Sequence, residues 1–313
     1  MSPVFISICI PAYKRPENIK RLMASIARQT IKDYEVVITD DSPDDSVKEI
    51  VPSFANLPLR YYKNETPLGT PENWNKAISY AKGNWIKLMH DDDWLNHENS
   101  LQIFAEATQR HPAVTFFFSA YNNVVEESGA SKPVRLTGLN KLFLNNSHRL
   151  LAHNVIGPPS VVLYKKVEGM VYDNQLKWLV DMDFYIQYLE GKSFYYIDKP
   201  LVNIGINKEQ VTQSSFRVKE VEIPEHFQVL KKIGFASLKD VVVYDALWRL
   251  FRNLNIQSLD EIEEAGYRGE VHPVIKKMIA HQTKLPRRLL QTGALSKAAM
   301  LLSYLCNRSR ITQ

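Results

Sequence analysis

Short apolar runs alternate with amphipathic helical stretches from the start of the chain, and this alternation constrains the fold more than any other feature. Val4 to Ile10 is a compact apolar run, ended by Pro11, that reads as a buried strand of the parallel-sheet type. Pro16 suits the first turn of a helix, and Ile19, Leu22, Met23, Ile26 and Ala27 recur on one helical face. The pattern then repeats. Glu35 to Thr39 reads as a strand, Asp40-Asp41-Ser42-Pro43-Asp44 as a turn with capping residues, and Val47 to Phe54 as a short helix. A strand around Leu59 to Tyr62, a helix from Thr70-Pro71-Glu72 to Ala81 and a strand from Trp85 to Met89 follow.

Further on, the spacing predicts a helix near Leu101 to Arg110, a strand from Val114 to Ala120 and an aperiodic loop from Asn122 to Lys141. Asp183, Ile186 and Leu189 fall at helical spacing, and Phe194 to Ile206 reads as paired strands with Pro200 at an edge or turn. Beyond Ser214 the pattern is mainly helical. The expectation is an α/β chain with a mixed, mostly parallel sheet flanked by helices and a C-terminal helical extension, divided into residues 1–213 and 214–313.

With 313 residues, 45% hydrophobic and 23% charged, the chain buries a full core. Two cysteines give neither a disulfide framework nor metal-ligand spacing. The N-terminus lacks signal-peptide features and no apolar run approaches the length of a spanning helix, so a cytoplasmic location is expected. The net charge is +5, but no Asp or Glu follows Glu270 while eight Lys and Arg do, leaving the preceding part at −3 (5 minus 8). Charge gathered in one terminal segment argues against nucleic acid and for a localised anionic surface.

Ligands of open α/β sheets sit at the carboxyl ends of strands. Two acidic groups follow predicted strands here: Asp40 and Asp41, and His90-Asp91-Asp92-Asp93. Three consecutive aspartates repel one another unless water or a cation neutralises them, and hard divalent ions such as Mg2+ or Mn2+ take such oxygen ligands readily. A solvated loop capping the next element is the bland alternative, as an ordinary turn is for Asp40 and Asp41. The glycine-rich phosphate loops are missing after the first strand, where the chain reads Pro11-Ala12-Tyr13-Lys14-Arg15. A bound nucleotide must then be held by carboxylates, metal and aromatic rings.

Taken in order, Ser7 to Arg15, Glu35 to Ser42, Asn73-Trp74-Asn75-Lys76-Ala77 with Gly83, and His90-Asp91-Asp92-Asp93-Trp94 resemble the family 2 glycosyltransferases, which have the GT-A fold and invert the anomeric centre. The resemblance implies a nucleotide diphosphate sugar donor, UDP-linked by preference, and a divalent cation. It places Pro11, Tyr13 and Asp41 at the base and ribose, Arg15 near the phosphates, and Asn75 and Asp91 on the nucleotide-sugar. Asp91 and Asp92 fall at the family's Asp-x-Asp element, with His90 where many members carry its first aspartate. That leaves the metal ligand open among Asp91, Asp92 and Asp93.

Gly157-Pro158-Pro159-Ser160-Val161 looks like the segment before a strand near the acceptor. Leu179 to Phe184 resembles the family's Glu-Asp-x-Asp element, which makes Asp181 the implied base, although a helix N-cap is an equally ordinary role for it. Pro200-Leu201-Val202 to Gln210-Val211-Thr212 resembles the closing strand pair, with Asn207 where many relatives have a metal-binding histidine. The implied acceptor is a saccharide or lipid-linked saccharide, as in cell-surface polysaccharide or glycoconjugate synthesis. A non-catalytic sugar-nucleotide-binding or scaffold protein is the alternative from another class, and a nucleotidyltransferase lacks its phosphate loop here. Between Lys284 and Arg310, leucines mixed with Arg and Lys suit either an anionic membrane surface, making the protein peripheral, or a final helix packed on its own core.

Overall fold

A computed structural model describes residues 5–207 and 216–311. The chain forms two compact units. The first comprises Met1–Lys141, Val155–Gln175 and Gln187–Glu209; the second comprises Leu142–Asn154, Leu176–Ile186 and Gln210–Gln313. The expected boundary after residue 213 is thus joined by two earlier excursions of the chain.

In the first unit, the strands are β1 (Ile6–Ala12), β2 (Tyr34–Asp40), β3 (Leu59–Lys63), β4 (Trp85–Leu88), β5 (Trp94–Leu95), β6 (Phe116–Val125), β7 (Ser131–Val134), β8 (Val162–Lys165) and β9 (Phe194–Ile206). They form one sheet in the order β3-β2-β1-β4-β8-β6-β9-β5, with β7 paired to β6. The pairs β3-β2, β2-β1, β1-β4 and β6-β9 are parallel, whereas β8 runs antiparallel to both β4 and β6. Every residue of β1 and β2 is buried, as the continuous apolar runs require of strands covered on both faces.

Helix α1 (Pro16–Ala27) has Pro in its first turn and buries Ile19, Leu22, Met23 and Ile26, the face the spacing predicts. Helices α2 (Glu72–Tyr80) and α3 (Ser100–Arg110) complete the alternation. Lys48–Phe54 is a 3-10 helix instead of an α-helix. Pro52 lies inside it and removes one backbone donor.

Three elements differ from the sequence reading. Pro11 does not end β1 but lies inside it, opposite Thr39 of β2. Pairing with β4 has already stopped at Cys9, so the missing N–H of Pro11 breaks no ladder bond there. Asn122 to Lys141 is not simply loop: β6 runs on to Val125 and β7 pairs back onto it. These strands carry mostly polar side chains near a sheet edge, where no apolar alternation marks them. Phe194 to Ile206 is one strand, not two; it accommodates Pro200 through register shifts against β6 between Ser119 and Tyr121.

The described part of the second unit is helical. Its main helices are Lys219–Ile233, Val241–Asn253, Pro273–Thr283 and Gly293–Asn307, with the start of Val180–Leu189. Asp240 caps the second of these by accepting from Val242 N at 2.9 Å, while its other oxygen takes Arg149 Nε at 2.6 Å. The helix Gly293–Asn307 buries Met300 and Tyr304 together with Ser296, Ser303 and Asn307, and exposes Leu295, Leu301, Leu302 and Leu305.

Candidate active site

Three loops emerge side by side at the carboxyl ends of β2, β1 and β4, because β1 lies between the other two. The loop after β1 is backbone-strained: Lys14 and Arg15 both adopt left-handed conformations, with φ of 58° and 54°. Lys14 N donates to Ser42 Oγ at 2.6 Å, tying this loop to the one after β2. Tyr13 is half exposed, and Pro11 is buried within the strand. Arg15 reaches toward the third loop, its Nη1 lying 3.8 Å from Asp92 Oδ2.

Asp40 and Asp41 have separate roles. Asp40, wholly buried at the end of β2, accepts from Ser42 N, Tyr61 Oη and Lys63 Nζ and holds the sheet edge. Asp41 Oδ1 accepts from Asn64 Nδ2 at 2.7 Å and Leu68 N at 3.1 Å, and its Oδ2 accepts from Gly69 N at 2.8 Å. A carboxylate has about four acceptor positions, so one direction on Oδ2 is left for a ligand. The carboxamide of Asn75 is taken up at both ends, by Tyr172 O at 2.8 Å and Tyr172 N at 2.9 Å. Its position therefore fixes the backbone at Tyr172.

After β4 the chain turns through His90 to Asp93 before entering β5. Ligand atoms of His90, Asp92 and Asp93 lie within 4.8 Å of one another. His90 N donates to Ser160 Oγ at 2.9 Å, and Asp93 Oδ1 accepts from Gly205 N at 3.1 Å. Among the described residues, the buried atoms His90 Nε2 and Asp93 Oδ2 have no hydrogen-bond partner. Burial, then Asp92, pushes the Asp93 carboxyl well above the usual range. Burial and Asp92 likewise push Asp91 up to about 7, against the pull of Arg15. The His90 imidazole is pushed down by burial. Two unpartnered buried ligand atoms beside crowded carboxylates are what a divalent cation would satisfy, and an imidazole with carboxylates suits Mn2+. The site residues present therefore fit such an ion. His90, read from the sequence as a departure from the family pattern, belongs to the cluster itself, together with Asp92 and Asp93.

Supporting residues surround this loop, and two of them, Arg21 and Lys87, carry no sequence signal. Arg21 of α1 donates to Asp92 O at 2.9 Å and Glu126 Oε1 at 2.6 Å, and its guanidinium lies over the Trp94 ring at 4.0 Å. Trp74 packs against the His90 ring at 4.8 Å. Lys87, wholly buried in β4, donates to the carbonyls of Ser160 and Val162 and is pushed down to about 7 by burial. Asn207 follows the end of β9, two residues beyond Gly205. Gln210, Val211 and Thr212 of the expected closing strand lie outside the described residues.

Gly205 is the tightest point. A Cβ there would lie 2.5 Å from Asp92 O and 3.1 Å from Glu126 Oε1. Gly205→Ala is expected to displace the acid loop and weaken Mn2+ binding by about 10- to 100-fold, as for supporting residues of other metal sites, with the circular-dichroism spectrum unchanged.

In the second unit, Asp181 lies at the second position of the helix Val180–Leu189, inside the first turn and not at the N-cap. Its Oδ1 accepts from Met182 N and its Oδ2 from Asn154 Nδ2, both at 2.9 Å. Burial pushes its carboxyl up to about 6, with those hydrogen bonds opposing. The turn before it is held by Glu225, whose carboxylate accepts from Lys177 N at 2.7 Å, Trp178 N at 3.0 Å and Leu179 N at 2.8 Å.

A sheet of this order, with acidic loops at the carboxyl ends of β2 and β4, has the GT-A fold. Residues 7–168 match the profile of Glycosyl transferase family 2, and the chain belongs to that family. An uncharacterized glycosyltransferase of Haemophilus influenzae is 26% identical over 205 residues, 63% of this chain and 66% of that protein. The Escherichia coli protein WfgD, a UDP-Glc:alpha-D-GlcNAc-diphosphoundecaprenol beta-1,3-glucosyltransferase, is 26% identical over 149 residues, 46% of this chain and 57% of that one. The aligned regions thus span less than two-thirds of either relative.

Among solved structures, S. aureus TarS 1-349 in complex with UDP-GlcNAc has a TM-score of 0.63 at 17% identity, covering 98% of this chain and 92% of that chain. The mannosyltransferase PcManGT from Pyrobaculum calidifontis, in complex with GDP-Man and Mn2+, has a TM-score of 0.57 at 14% identity, covering 100% and 89%. At these identities the structures speak for the fold alone.

Proposed function

We propose that this chain moves a sugar from a nucleoside diphosphate sugar, in the first instance a UDP-sugar, to a hydroxyl of a saccharide or lipid-linked saccharide, with inversion at the anomeric carbon. The observation that carries this reading is the His90, Asp92 and Asp93 cluster at the carboxyl end of β4, with its two unpartnered buried ligand atoms. These residues would hold a divalent cation, which would supply Lewis-acid neutralisation of the charge on a departing diphosphate. Tyr13 offers a half-exposed ring for the base, and Asp41 Oδ2 keeps one acceptor direction for it. Arg15, 3.8 Å from Asp92, is the cation assigned to the phosphates in this reading. Asp181 takes the acceptor hydroxyl's proton as the acceptor oxygen bonds to the anomeric carbon. The bond from that carbon to the diphosphate oxygen breaks with its electron pair on the nucleoside diphosphate. The names of WfgD, which specifies UDP-Glc, and of the TarS complex with UDP-GlcNAc support the donor class.

The test is release of nucleoside diphosphate from a panel of donors with Mn2+ or Mg2+. Turnover of at least one UDP-sugar is expected, abolished by chelation and restored by Mn2+. Binding of UDP without turnover of any donor would instead mark a sugar-nucleotide-binding protein.

We further propose that the protein works against an anionic lipid surface. No helix of the described residues is long and apolar enough to cross a membrane. Leu301, Leu302 and Leu305 nevertheless point outward near Arg308 and Arg310, in a segment without carboxylates. The triple variant Leu301→Ser, Leu302→Ser, Leu305→Ser is expected to stay folded and to lose co-flotation with phosphatidylglycerol vesicles. Equal flotation of variant and wild type rules the surface out.

A further inference from the structure

A cavity of about 670 Å3 opens within the second unit, and Arg217, Arg252 and Arg287 line it. Asn253, Asn255 and Gln282 add carboxamides to the wall, and no carboxylate is among the lining residues. We infer that this cavity is a second binding site, specific for a phosphate-ester or diphosphate anion and separate from the transfer site. Three guanidinium groups on one cavity whose lining holds no carboxylate repel one another, and an anion between them relieves that repulsion. Guanidinium is the side chain best matched to phosphoryl oxygens, which it binds through two parallel hydrogen bonds.

Two acids lie near the arginines: Glu222 accepts from the backbone N–H of Arg217 and offsets part of its charge, and Asp245 is shared among several cations. Asp245, the carboxylate that acts on Arg252, already binds Arg249 Nε at 3.1 Å and Lys297 Nζ at 3.3 Å. Arg252 itself is tied only to neutral groups in its described hydrogen bonds, Asn253 Oδ1 at 3.0 Å and Ser296 Oγ at 3.1 Å. Burial, then Arg249 and Arg217, push its pKa down, the signature of a cation held among cations. Gly293, also in the lining, opens the fifteen-residue helix Gly293–Asn307, whose N-cap Thr292 makes no side-chain cap bond. The first-turn N–H groups at that end add a further electropositive element beside the three arginines.

Inorganic pyrophosphate, titrated calorimetrically into the full-length protein in metal-free buffer, is the probe. Binding is expected in wild type and at least about tenfold weaker in Arg252→Gln and in Arg287→Gln. Arg287 is exposed, so its substitution leaves folding intact, and unchanged UDP affinity in both variants shows that the first unit is undisturbed. Phosphatidylglycerol vesicles form the second arm. Weaker vesicle binding by the same variants identifies a lipid headgroup as the source of the phosphate, and unchanged vesicle binding with lost pyrophosphate binding identifies a soluble phosphate ester. Pyrophosphate that binds both variants as tightly as wild type, or that fails to bind wild type, overturns the proposal.

Discussion

Asp181→Asn is expected to abolish sugar transfer while leaving donor binding unchanged. The substitution keeps the shape of the side chain and removes its capacity to take a proton. General-base catalysis is worth roughly 10²- to 10⁴-fold, which sets the size of the loss. Because burial raises the Asp181 carboxyl from 3.8 to about 6, the wild-type rate should climb with pH through about 6 and level off above it. At one unit below that midpoint only about a tenth of the base is ionised.

The same shift has a stability consequence of defined sign. Folding disfavours the ionised carboxylate, so the cost is absent below about pH 4, where both states are protonated, and complete above about pH 6. At neutral pH it amounts to at most about 3 kcal/mol. The asparagine variant should therefore melt at or above the wild-type temperature at pH 7, with the difference vanishing in acid. Near wild-type transfer by this variant, or a rate that is flat across pH 6, would remove Asp181 from the mechanism.

Removal of a ligand from the β4 loop is expected to have the next largest effect. Asp93→Asn preserves the side-chain volume and the oxygen that accepts from Gly205 N, yet replaces the unpartnered oxygen by a poor ligand. Supporting residues of metal sites are worth about 10- to 100-fold in affinity, so loss of a direct ligand should exceed that in Mn2+ affinity and in transfer. Mn2+ at about 100 times its dissociation constant should stabilise wild type by about 2.7 kcal/mol, seen as a higher melting temperature that the variant lacks. Without metal the order should reverse. The variant removes one of the crowded acids that burial penalises, and it should be the more stable protein. A variant that keeps the Mn2+-dependent rise in melting temperature would show that the ion sits elsewhere.

Much of this architecture is legible along the chain because it is local. The seven-residue apolar strands β1 and β2 and the buried face of α1 are written in residue spacing, and the acidic groups follow strands directly. What escapes the sequence is contact between distant segments. Arg21, Glu126 and Gly205 fix the acid loop from three different elements, and nothing around any of them marks a shared partner. Nothing in the strand Trp85 to Met89 announces that Lys87 is buried, with two carbonyls of the 160–162 segment accepting from it in the core. Asn75 belongs to a motif that implies a ligand contact, and the sequence gives no hint that its amide also clamps the distant backbone at Tyr172. Glu225 is another such case, since a glutamate in the middle of a helix gives no hint that it gathers the N–H groups ahead of Asp181.

The position of β1 has one more consequence. It runs parallel to β2 and β4 at once, with Ala12 opposite Asp40 and Cys9 opposite Leu88. The spacing among the three loop ends is therefore gauged by the hydrogen-bond ladder and not by the loops themselves. Sliding that strand by one residue would shift Tyr13 to Arg15 by about 3.3 Å against both neighbours and turn every side chain to the opposite face. Registration of the sheet thus sets how far apart the three loops stand, a distance written into strand pairing well outside the loops.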